Sequence, residues 1–202
     1  MTLPEPLELL FQWIESHGYF VDTTDGRIGI LFPGHKLKPM RTVTGPVDGT
    51  DISFMAEGNA YLHHWFGSDD QQIIGRVCVF AKTGGDGSMA ALWIADDGSQ
   101  KIVHLGSGSG STTLCVLADD PVDFLRLLAI GYDELCWGEA FSEPPSVDGE
   151  LVVDPNPPYA DWVSRTFHTE IPDRASAIVK HPLSMDAPTS PDSFWQWVNS
   201  HV

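Results

Sequence analysis

The sequence predicts an α+β domain: a central, mostly antiparallel sheet of about five to six strands with helices packed chiefly on one side. Two observations lead there. Between Asn59 and Leu117, strand-like runs alternate with short turns rich in Gly and Asp. On both sides of that block the apolar residues change to helical spacing. At 202 residues and 42% hydrophobic content, the chain is long and apolar enough for one core.

The first element is a helix from about Pro4 to His17. Leu7, Leu10, Phe11 and Ile14 recur at helical intervals and form one apolar stripe. Pro4 and Pro6 suit the start, and Gly18 suits the stop. Arg27 to Phe32, RIGILF, reads as a short strand closed by Pro33-Gly34. His35 to Thr50 reads as loop, with a short strand near Val43. The runs NAYLHHWF, QQIIGRVCVF, SMAALWIA, QKIVHL and TTLCVLA then read as a meander. Their separators, GSDD, KTGGDG, DDG and GSGSGS, are turn formers. Residues 120 to 130 return to helical spacing. Asp120 is placed to cap that helix, Pro121 fits its first position, Asp123 lies in its first turn, and Gly131 ends it.

Past Trp137 the composition changes. EAFSEPPSVDGELVVDPNPP reads as loop, with LVV as one edge strand. A helix from Tyr159 to about Phe167 and another from Ser193, started by Asp192 or Ser190, close the chain. Trp162, Phe167, Phe194 and Trp197 are too apolar to remain in water together. Residues 138–202 are therefore expected to pack on the same core, making residues 1–202 one domain.

Acidic residues outnumber basic ones 28 to 11, a formal net charge of -17. Direct nucleic-acid binding is disfavoured, because neutralising phosphate requires Lys and Arg. An acidic surface keeps a protein soluble, and it also attracts a basic partner over long range. Cys78, Cys115 and Cys136 form no CxxC pair, and two of them sit in the apolar runs VCVF and LCVL. They read as buried reduced thiols, which suits a cytoplasmic protein. The N-terminal stretch has acidic residues where a signal peptide needs basic ones, and no run is long enough to cross a membrane.

Chemistry-bearing motifs are sparse. LGSGSGST, at residues 105 to 112, suggests a phosphate loop, but no Lys follows and the next residues suit a strand, not a helix. TGGDGS, at residues 83 to 88, meets the same objection, and Asp86 there can bond backbone amides within its turn. His63 and His64 are adjacent, so on a strand they face opposite sides. There is no HExxH, CxxC or GxSxG pattern. The pairs Asp69-Asp70, Asp96-Asp97 and Asp119-Asp120 each adjoin a turn or a cap. The residues thus suggest neither catalytic groups nor a metal or cofactor site.

Over roughly residues 5 to 137 the order of features resembles the SUKH superfamily, whose founding member regulates fungal cell-wall synthesis. The likeness rests on a helix with Trp13, a meander holding Gly85-Asp86-Gly87 followed by Trp93, then a strand, Asp119-Asp120-Pro121 and the helix VDFLRLLAIGY. The resemblance implies a non-enzymatic binding protein. Bacterial members resemble immunity proteins that neutralise a partner toxin, often a nuclease. The expected partner is then a basic protein toxin, with no direct nucleic acid and no membrane. Turn acids are the expected contact residues: Asp69, Asp70, Asp86, Asp96 and Asp97, with Glu139 and Glu143 beyond the helix. Two other readings stay open: a small-molecule- or sugar-binding regulator or signalling scaffold, and a hydrolase.

Overall fold

The structure is a computed structural model and describes residues 1–24, 26–31, 50–55, 60–145 and 156–201. Among these residues eight strands form one sheet: β1 (Phe20–Thr23), β2 (Gly26–Ile30), β3 (Ser53–Phe54), β4 (Val77–Lys82), β5 (Met89–Ile94), β6 (Gln100–Leu105), β7 (Thr113–Ala118) and β8 (Leu183–Ser184). They lie in chain order, each antiparallel to the next. Among the described residues six α-helices accompany them: α1 (Glu5–His17), α2 (Leu62–Phe66), α3 (Gln71–Ile74), α4 (Pro121–Ile130), α5 (Pro157–Phe167) and α6 (Ser193–His201). The antiparallel α+β expectation holds. The strand count exceeds it, because β1, β3 and β8 are short edge or linking pieces with weak sequence signals.

The helix ends follow local chemistry. Gly18 adopts φ 63, and the last turn of α1 closes on it through the Glu15 and Ile14 carbonyls. The Asp120 carboxylate accepts from Val122 N at 2.7 Å and starts α4. Asn156 caps α5 by accepting from Tyr159 N, while its amide donates to Leu31 O. One oxygen of Asp192 caps α6 by accepting from Phe194 N and Trp195 N, both at 2.9 Å. Its other oxygen accepts from Val116 N and so ties α6 to β7. Burial raises the pKa of this carboxyl.

Two runs expected as strands contain helices. In NAYLHHWF, residues Leu62–Phe66 form α2. A strand would place His64 on the same face as Leu62 and Phe66. The helix buries Leu62 and Phe66 and leaves His64 exposed. Gly67, at φ 60, ends it. In QQIIGRVCVF, Asp70 caps the single turn Gln71–Ile74 by accepting from Gln72 N, and only the second half joins the sheet. The expected strands near Val43 and at LVV lie outside the described residues.

The sheet is covered on both faces, which corrects the expectation of helices chiefly on one side. The longest helices, α1, α4 and α5, pack on one face against Phe80, Leu92, Ile102 and Leu117. The shorter α2, α3 and α6 pack on the other against Val79, Trp93, Val103 and Leu114. SMAALWIA therefore has no polar alternation, because successive residues of β5 enter different cores. Phe194 and Trp197 fill the second core beside Trp93. Tyr159 and Val163 enter the first. Residues 156–201 thus contribute to both cores. Among the described residues, no helix is long and apolar enough to cross a membrane.

Candidate functional site

In a meander, alternate turns lie at opposite ends of the sheet, about 20 Å apart for six-residue strands. That geometry divides the seven acids singled out from the sequence. Asp96 and Asp97 occupy the β5–β6 turn. Asp69 and Asp70 lead through α3 into the start of β4, at the same end, where Arg76 pairs with Asp96 at 2.8 Å. Asp86 lies at the other end, in the β4–β5 turn. Glu139 is at that end too, since the preceding Gly138 N–H donates to Thr113 Oγ1 at the start of β7. Glu143 follows, its carbonyl accepting from the Tyr132 hydroxyl at 2.6 Å. Asp69, Asp70, Asp96, Asp97, Glu139 and Glu143 are exposed.

Asp86 does not reach outward. One carboxylate oxygen accepts from Ser88 N, and the other from Ser88 Oγ, Ser107 Oγ and Ser111 N, all within 2.9 Å. It is a half-buried anion clamping the β4–β5 turn to the β6–β7 turn. These bonds hold its pKa below the usual carboxylate range, although burial alone would raise it. In the GSGSGS turn, Ser107 N donates to Ser88 Oγ, Gly110 N to Ser107 Oγ and Ser111 N to Asp86. Gly110 is required there, because a Cβ would stand 2.7 Å from that of Asp86.

Beside this clamp lies an acidic group the sequence reading did not name. Asp133 and Glu134 follow α4, and Leu135 N donates to Thr83 O at the end of β4. Asp51, far earlier in the chain, is held there because its N–H donates to Asp133 O. Glu134 accepts from Gly85 N at 2.9 Å and from Trp137 Nε1 at 2.6 Å. A Cβ on Gly85 would stand 3.1 Å from Asp51 Oδ2 and 3.5 Å from Glu134 Oε1. The two carboxylates therefore converge over that glycine. Burial, with the Asp51 and Glu134 charges, raises the Asp133 carboxyl to about 6. Burial and Glu134 also raise Asp51. None of the ion pairs among the described residues reaches these three acids. No group of three or more His, Cys, Asp or Glu among the described residues could hold a metal ion.

Two reactive residue types lie close by, and each is locked. Burial and the Glu134 charge push the Cys136 thiol up, so it stays protonated at neutral pH and is not an activated nucleophile. His104 is fully buried. Its Nδ1 lies 2.8 Å from the Thr113 carbonyl, which can only accept, so Nδ1 carries the proton. Nε2 then accepts from Thr83 Oγ1 at 3.0 Å. Burial lowers its pKa to about 4. Both nitrogens are occupied within the fold.

Compared with known proteins, the chain matches no family model, no curated protein and no solved structure.

Proposed function

We propose that the chain is a non-enzymatic binding protein of the immunity type, which neutralises a basic protein toxin by covering its active-site face. The observation that carries this reading is the group Asp51, Asp133 and Glu134 over Gly85. The Glu134 charge raises Asp51, both raise Asp133, and no ion pair among the described residues reaches them. A Lys or Arg side chain from a partner would relieve that repulsion. Among the described residues most cations are engaged: Arg27, Arg76, Lys101, Arg126, Arg165 and Arg174 each contact a carboxylate within 3.1 Å. The uncompensated charge of -17 supports the same reading through long-range attraction. The SUKH-like order of features is its family context. On this reading Glu139 shares the contact face with the acidic group. Asp86 builds the face instead of touching the partner, and Asp69, Asp70, Asp96 and Asp97 lie at the far end.

The experiment is co-expression with the toxin domain encoded beside the gene, followed by binding kinetics across ionic strength. Rescue of growth is expected, with an association rate that falls as salt rises. The Asp51→Asn/Glu134→Gln variant should associate more slowly, while Asp96→Asn/Asp97→Asn should match the parent. Failure to rescue growth, or association insensitive to salt, would refute the mechanism.

A further inference from the structure

We infer that the hollow between α1, β2, β3 and β4 is a binding site for a small apolar molecule carrying no negative charge. It lies on the α1 face of the sheet, away from the acidic group, and does not depend on the function proposed above. The hollow measures about 350 Å³. That is within the usual range for small-ligand sites, roughly 300–1,000 Å³. Its walls are Phe11 and Ile14 of α1, Phe54 and Met55 at β3, and Cys78 and Phe80 of β4.

Among the described residues, three features leave this space open. Gly29 of β2 stands opposite Phe54 in register and supplies no side chain, and a Cβ there would already meet Ile14 at 3.3 Å. The irregularity in β4 between Val79 and Ala81 turns both Phe80 and Ala81 to the α1 face, which puts a ring at the wall. β3 pairs through only two residues on each side, so it spans little of the gap between β2 and β4.

The mouth decides the ligand's charge. Arg27 lies there, but its guanidinium is bound by Glu15 at 2.7 Å and by Asp22 at 2.7 Å, and it stacks on the Phe20 ring at 3.7 Å. Glu15 and Arg27 line the mouth, and with Asp22 on the same guanidinium the cluster carries one net negative charge. An anionic head group would meet that rim and the field of the whole chain. Inside that rim, an uncharged aromatic or short aliphatic molecule meets rings, aliphatic side chains, a thioether and a thiol. Cys78 also supplies a reporter, because it is half-buried at the wall while Cys115 and Cys136 are buried.

The test titrates the full chain with the uncharged fluorescent probe aminoanthracene and, in parallel, with the anionic probe anilinonaphthalene sulfonate. The uncharged probe should bind one per chain, with a dissociation constant on the order of 10 μM. It should slow maleimide labelling of Cys78 by about the fraction of sites occupied. The anionic probe should bind more weakly and protect less. Cys78→Phe should fill the hollow and abolish probe binding while keeping a cooperative melt. Should that variant fail to fold, protection of Cys78 in the unaltered protein still decides the matter. Binding without protection, equal binding of both probes, or full binding to a folded Cys78→Phe protein would overturn the inference.

Discussion

Replacing His104 with Gln should remove a specific component of the protein's acid sensitivity. His104 sits fully buried between Thr83 and Thr113. Gln keeps a donor and an acceptor on its side chain but cannot titrate. In the unfolded chain the imidazole has a pKa near 6.5, and in the folded protein burial lowers it to about 4. The folded pKa is the lower one, so the unfolded state holds the extra proton between these values. Stability is present above pH 6.5 and is lost as pH falls towards 4. The difference of about 2.5 units corresponds to about 3 kcal/mol. The assay is urea unfolding of the parent and His104→Gln at successive pH values, followed by tryptophan fluorescence. Other titrating groups are common to both proteins and cancel in the difference. The stability difference, parent minus variant, should fall by about 3 kcal/mol between pH 6.5 and 4. A difference that stays flat across this range would refute the reasoning. So would a ring-proton NMR titration placing the folded pKa of His104 near 6.5.

Asp133→Asn should show the opposite pH dependence. The folded pKa of Asp133 is raised to about 6, so its ionisation destabilises the protein as pH rises through that value. Discounting for partial exposure, the variant should be more stable at neutral pH by about 1 kcal/mol, a gain that disappears below the unfolded carboxylate pKa in parallel urea titrations. Asp86→Ala leaves Ser88 N and Ser111 N without their acceptor and should cost about 3 kcal/mol at neutral pH. An unchanged urea midpoint would show that the two turns do not need the clamp. Phe194→Ala removes a fully buried ring packed on Trp93 and should cost about 3–5 kcal/mol. A melting temperature close to the parent's would mean that α6 is not part of the second core.

Local chemistry made much of the fold legible. The apolar run in TTLCVLA, the glycine-rich turn before β5, the Asp120-Pro121 start of α4 and the Gly18 and Gly131 stops are all written within a few residues. These elements appear where the sequence places them. NAYLHHWF and QQIIGRVCVF read as strands because so few apolar residues fit either period, and burial of Leu62, Phe66 and Ile73 selects the helix. Coverage of both faces was also hidden, because it depends on where α2, α3 and α6 dock.

The candidate site divides in the same way. Turn chemistry identified Asp86 as a residue that bonds backbone amides, and Asp70 and Asp120 as residues at turn and cap positions. Sequence could not foresee that Asp86 would bridge two turns, nor that Asp51 would meet Asp133 and Glu134 over Gly85. Those meetings follow from strand register and from the path of the chain after α4, and they bring together residues distant in sequence. The charge of -17 belongs to the composition. Which carboxylates stand close enough to raise one another's pKa is decided only by the tertiary structure, because such shifts depend on burial and separation in space.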